Sequence, residues 1–150
     1  FGGGVWEGGV WKGGSWKDGI WKGGKWNGGK ILDGKTNEYK YELIYLTPKK
    51  GVRYMYSNCN DKGHFNVKKV IIGETGIANA INDCQGKYGM TQDSFGILIN
   101  NEKEGKLILK AITSADFIKL IKCSCCWSNF RIDWRLFTYF KKDFWKEFIY

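Results

Sequence analysis

The chain has 150 residues, 24 Lys and Arg against 15 Asp and Glu, and a net charge of +9. That length holds one domain plus an appendage and excludes two large domains. A 43% hydrophobic and 17% aromatic composition is too apolar for a wholly disordered chain. No window approaches the ~20 uninterrupted apolar residues of a membrane span, so no membrane partner is expected.

No positively charged segment followed by an apolar stretch opens the sequence, so no secretory leader is expected. The five cysteines are Cys59, Cys84, Cys123, Cys125 and Cys126. Their odd number and bunching do not fit a secreted disulfide framework and point to reduced thiols in a cytoplasm. The excess of positive charge favours polyanionic partners, nucleic acid first.

Glycine divides the chain into two regimes, with 13 of 21 glycines before residue 35. There Trp6, Trp11, Trp16, Trp21 and Trp26 recur every five residues in a WxGGx repeat. Five is odd, so a straight strand would alternate the rings between its faces, whereas a bend at each glycine pair lets them share one. Either a short solenoid or a run of hairpins meets that requirement, and paired glycines argue against a helix. The units GVWEGG and GIWKGG resemble MORN-type and pentapeptide-type arrays. Residues 1–34 are therefore expected to form a repeat segment, and 35–150 an α+β domain.

Behind the repeat, 39–46 and 52–56 predict two strands joined by a turn at Pro48 and Gly51. Val52, Tyr54 and Tyr56 alternate with Arg53 and Met55, the period of a half-buried strand. Further strands are expected over 67–72 and 95–99. Gly73-Glu74-Thr75-Gly76 lacks both the length and the lysine of a phosphate loop and reads as a tight turn. Asn101 is placed to cap a helix from Glu102 whose Leu107, Ile108, Ala111 and Ile112 fall on one face, and Ser114 to cap a second bearing Phe117, Ile118 and Ile121. Ile132, Leu136, Phe140 and Phe144 then recur every fourth residue among Arg131, Arg135, Lys141, Lys142 and Lys146, predicting one basic amphipathic helix or two short ones. The fold class is α+β, sheet first and helices last.

No catalytic centre is evident. His64 is the single histidine and reads as a surface or turn residue, and the carboxylates are scattered. Cys123, Cys125 and Cys126, with Cys59 and His64, invite a zinc reading, but a structural site needs two tight ligand pairs and only one cluster is present. No metal and no cofactor are expected.

Five segments occur in an order that carries more information: HFNVKKVIIGETG over 64–76, DCQGKYGMTQ over 83–92, NNEKEGKL over 100–107, KAITSADF over 110–117 and WSNFRIDWR over 127–135. This succession resembles the C-terminal DNA-recognition region of adenine-specific methyltransferases of type II restriction-modification systems, over roughly residues 64–148. The family's catalytic loop is of the form (D/N/S)PP(Y/F/W), and a chain whose only proline is Pro48 has none. The resemblance therefore implies a reader of double-stranded DNA without the enzyme, in the cytoplasm of a bacterium or a virus-infected cell. Lys68, Lys69, Lys87, Arg131, Arg135, Lys141 and Lys142 are the expected phosphate contacts. Thr91, Gln92, Ser128, Asn129 and Arg131 carry donors and acceptors suited to base edges, Gln to adenine and Arg to guanine. The alternative is a structural or adhesive protein, for instance of a phage or virus particle, whose Trp/Gly array self-associates or grips a partner.

Overall fold

A computed structural model describes residues 5–6, 20–22, 31–124 and 131–149. In chain order the strands are β1 (Val5–Trp6), β2 (Ile20–Lys22), β3 (Ile31–Leu32), β4 (Tyr41–Leu46), β5 (Arg53–Ser57), β6 (Lys69–Gly73), β7 (Gly76–Asp83), β8 (Gly89–Met90) and β9 (Ser94–Leu98). Helices α1 (Glu102–Ile112) and α2 (Ala115–Ser124) follow, then two 3₁₀ helices over Trp134–Tyr139 and Phe144–Phe148. The fold is α+β.

The strands form two sheets, one in the order β1-β2-β9-β6-β7 and one in the order β3-β5-β4-β8. All five residues of β6 are buried, because this strand is covered on both faces. Val70 and Ile72 turn to one side and join Phe95, Ile97, Ile108, Ile112, Phe117 and Phe137 in the main core under the helices. Ile71 turns to the other and packs with Ile44, Met90, Tyr54 and Tyr88 of the smaller sheet. The period-2 alternation thus separates two cores across one strand, in a helix, sheet, sheet layering.

The hairpin between β6 and β7 turns through Glu74 and Thr75, with Gly73 opposite Gly76. Past that turn the register shifts between Ile71 and Gly73, so β7 carries extra residues opposite its partner. The excursion is held by the smaller sheet: the Asn79 backbone N–H donates to the Thr47 carbonyl at 3.4 Å and its Nδ2 to the Pro48 carbonyl at 2.5 Å. Gly73 is required here. A Cβ on it would lie 2.5 Å from the Thr47 nitrogen and 2.8 Å from the Leu46 Cα.

Both α-helices begin where their capping residues place them. The Asn101 side chain accepts from the Glu104 N–H at 2.9 Å, and the Glu104 carboxylate accepts from the Asn100 N–H at 2.7 Å. Two donors of the first turn and its approach are thereby satisfied. Ser114 Oγ accepts from the Phe117 N–H at 3.2 Å. Buried Ile108, Ala111 and Ile112 face the sheet, as do Phe117 and Ile121, whereas Ile118 is exposed.

The C-terminal stretch forms two short helices of 3₁₀ type. Trp134, Phe137 and Phe140 fall three residues apart, the repeat of a 3₁₀ turn, and the backbone becomes extended at Phe140. The core draws on both spacings: Ile132, Trp134, Phe137 and Phe144 are buried, while Leu136 and Phe140 are half-buried against them. The Phe117 ring lies 5.1–5.9 Å from those of Phe137, Phe140, Phe144 and Phe148, so aromatic packing replaces regular helix length.

Within the repeat, β1 pairs with β2 in parallel, Val5 beside Ile20 and Trp6 beside Trp21. Paired residues stand three repeat units apart, and a parallel pair is not joined by a simple hairpin. β2 pairs antiparallel with β9, Trp21 opposite Gly96. The described part of the repeat and the domain behind it therefore share one sheet. Strand β7, the longest, was not expected, because Gly76, Ala78, Asn79 and Ala80 are poor strand formers.

Candidate nucleic-acid interface

The residues expected to meet DNA do not form one cluster. Lys68 precedes β6 and Arg131 reaches the turn that follows it, so six residues of extended chain, about 20 Å, separate their ends of the sheet. Lys69 is no phosphate contact. It is 1% exposed, and its ammonium donates to Asp83 Oδ2 at 2.8 Å, to the Tyr88 carbonyl at 2.7 Å and to the Val67 carbonyl at 3.0 Å. Three acceptors for three ammonium protons keep it charged, although burial draws its pKa down against the opposing pull of Asp83. Asp83 in turn accepts from the backbone N–H groups of Lys87, at 2.7 Å, and Tyr88, at 3.0 Å. Lys69 therefore fastens the loop after β7 to the start of β6.

Thr91 is likewise corrected. It is 3% exposed, its N–H donates to the Ile44 carbonyl and its hydroxyl accepts from the Asp93 N–H at 3.3 Å. The buried hydroxyl turns the chain so that Gln92 stands exposed at the tip. Ser94 completes the turn, its hydroxyl donating to the Ile44 carbonyl at 2.9 Å.

Gln92 and Arg131 are brought to one corner. The Glu74 N–H donates to the Asp93 carbonyl at 2.9 Å, and the Ile132 N–H donates to the Glu74 carbonyl at 2.6 Å, tying the 91–94 turn, the β6–β7 turn and the segment after residue 130 together. The exposed Arg131 guanidinium lies 3.8 Å from both the Glu74 and the Asp93 carboxylates. These orient it at the edge of the turn that displays Gln92. Ser128 and Asn129 lie outside the described residues.

The remaining cations differ in what already holds them. Arg135 makes a forked pair with Asp133, Nε 3.0 Å from both oxygens and Nη2 2.6 Å from Oδ2. Lys87 is exposed, 3.3 Å from the Tyr88 hydroxyl and 3.7 Å from Glu42, and these two hold its pKa above the ordinary lysine range. Lys68, Lys141 and Lys142 are exposed. Lys49, Lys50 and Arg53 lie in a segment whose sequence signals only a turn and a strand start. All three are exposed and have no carboxylate partner among the described residues.

Elsewhere the chemistry is sparse. His64 has φ 68°, in the left-handed region, and burial, then the Lys69 charge, lower its pKa to about 3. Cys59 sits 3.6 Å from the Ser57 hydroxyl, Cys84 is half-buried and Cys123 is exposed, while Cys125 and Cys126 lie outside the described residues. No group of three His, Cys, Asp or Glu placed to hold a metal occurs among the described residues. A groove of about 460 Å³ between the β7 excursion and α2 is lined by Ile77, Ala78, Thr113, Ile118, Ile121, Lys122 and Ile132, an apolar set with a single charge. No described helix is long and apolar enough to cross a membrane.

Comparison with known protein families, curated protein sequences and solved structures finds no match.

Proposed function

We propose that this chain is a non-catalytic, double-stranded DNA-binding module of the target-recognition type, related to the recognition regions of adenine-specific methyltransferases. The observation that supports it is the shared corner of Gln92 and Arg131. These two side-chain types make two-pronged contacts with adenine and guanine edges respectively. They come from positions 39 residues apart and are brought together by a chain of backbone hydrogen bonds through Glu74. With Lys69 and Thr91 removed from the surface, Lys68, Lys87, Arg135, Lys141 and Lys142 remain as phosphate contacts, Lys68 and Lys87 at the opposite end of β6 from this pair.

Association would draw on release of counterions from the phosphates. Fluorescence anisotropy with a labelled duplex of mixed sequence, followed from about 50 to 200 mM salt, tests the reading. Affinity that falls linearly on a double-logarithmic plot is expected; undetectable or salt-insensitive binding overturns it.

One observation favours a second reading, a structural or adhesive array. Val5 and Trp6 pair in parallel with Ile20 and Trp21, three repeat units on, as stacked coils of a solenoid do. That reading expects a stable oligomer by light scattering that becomes a monomer when residues 1–30 are deleted. A monomeric full chain that binds duplex DNA decides for the first reading.

A further inference from the structure

We propose that Lys49, Lys50 and Arg53, on the β4–β5 hairpin, are the phosphate anchor of this surface, gripping the duplex backbone beside the bases that Gln92 and Arg131 face. The proposal rests on the DNA-binding reading and adds to it a second element from the smaller sheet.

The hairpin is tied to the same end of the molecule as the base-reading pair. Thr47, at the end of β4, donates its hydroxyl to the Gly76 carbonyl at 2.6 Å and accepts from the Gly73 N–H at 2.8 Å. Asn79 holds the Pro48 carbonyl. The hairpin therefore grips both ends of the Glu74–Thr75 turn, whose other flank meets Arg131. Gly51, with φ 125° and its N–H donating to the Pro48 carbonyl at 3.0 Å, reverses the chain so that Lys49 and Lys50 project at the tip. In β5, Tyr54 faces the inner core and Arg53, one residue before it, faces outward.

Charge separates these three from the other cations of that end. Arg131 is flanked by Glu74 and Asp93, and Arg135 is held by Asp133, so each must loosen a carboxylate to neutralise a phosphate. Lys49, Lys50 and Arg53 have no such pair among the described residues and lie within five positions of one another. Their charge is uncompensated and available to the backbone.

The test is the salt dependence of duplex binding by the full chain carrying Lys49→Gln, Lys50→Gln and Arg53→Gln, beside a control carrying Lys103→Gln, Lys110→Gln and Lys119→Gln on the exposed faces of α1 and α2. Both variants lose the same charge, and all six positions are exposed. Three phosphate contacts lower the double-logarithmic slope by about 2.7, which is about a 40-fold smaller loss of affinity between about 50 and 200 mM salt. The hairpin variant is expected to show that flattening with its order of preference among sequences unchanged, and the control to keep the wild-type slope. An unchanged hairpin slope, or equal flattening in both variants, overturns the anchor while leaving the recognition module standing. A wild-type chain without salt-dependent duplex binding removes both readings. Circular dichroism melting of each variant, together with the single reversal Lys49→Glu, separates lost binding from lost folding.

Discussion

Lys69 Nζ lies 2.8 Å from Asp83 Oδ2, with both side chains almost wholly out of solvent, at 1% and 2% exposure. This ion pair joins the first residue of β6 to the last of β7, whose Cα atoms are register partners. Replacing one member of a buried pair leaves the other charge unmatched, at a cost of about 3–5 kcal/mol. Lys69→Met is therefore expected to destabilise the domain by about that amount in urea titrations. The double variant Lys69→Met/Asp83→Asn removes the stranded charge while keeping an acceptor for Tyr88, and should recover part of the loss. A single variant as stable as the parent would show that the pair does not hold the loop.

Gly73 places no side chain where the β4–β5 hairpin crosses the end of β6. The atoms that a methyl group would meet are backbone atoms of Leu46 and Thr47, which cannot turn aside as a flexible side chain does. Gly73→Ala should cost about 1–3 kcal/mol, the range for overpacking a closed site. The same substitution at Gly34, where nothing lies within 4 Å, should leave thermal stability nearly unchanged. Equal melting temperatures for the two variants would contradict the close approach of the sheets.

His64 couples the fold to pH. Its pKa in the folded chain, about 3, lies well below the ordinary value near 6.5, because burial and the neighbouring Lys69 charge disfavour the imidazolium. Between those values the unfolded chain binds a proton that the folded chain refuses. Stability is therefore fully present above about pH 6.5 and is lost as pH falls toward 3, by up to about 1.4 kcal/mol per pH unit from this group. His64→Asn removes the titration, and Asn tolerates the left-handed backbone. The Asn variant should show a flatter fall in stability across that window, and parallel curves would show that His64 does not contribute.

What the sequence made legible follows from where local chemistry decides the outcome. Asn101 and Ser114 cap their helices through their own side chains, so the start of each helix could be read from those residues and the apolar spacing behind them. The four expected strands carry β-branched or aromatic residues, which fit a half-buried pleated surface. Strand β7 escaped because Asn79 and Asn82 act through partners distant in sequence, Pro48 and Glu102. The burial of Lys69 escaped for the same kind of reason. Beside Lys68 it reads as half of a basic dipeptide, and only its register with Asp83 reveals a core residue. Thr91 and Gln92 divide similarly, one hydroxyl consumed in forming the turn and one amide displayed by it. The corner of Gln92 and Arg131 is a tertiary product, and only the types of the two residues were readable in advance.

The same division between display and anchoring predicts how single substitutions act on binding. Arg131 stands beside the displayed Gln92, whereas Lys141 is exposed in the link between the two 3₁₀ helices. A side chain that reads a base edge contributes to one position of the site, so Arg131→Ala should weaken the preferred duplex by about 1–3 kcal/mol while affecting other sequences less. Gln92→Ala should likewise narrow the gap between sequences, at a different base pair. A phosphate contact is blind to sequence, so Lys141→Ala should weaken all duplexes alike and lower the salt slope by about 1. Binding by each variant to a randomised duplex pool, read by sequencing the bound fraction, measures both effects together. If Arg131→Ala merely scales every affinity by one factor, the guanidinium between Glu74 and Asp93 is a backbone contact and the base-reading role of the corner falls to Gln92.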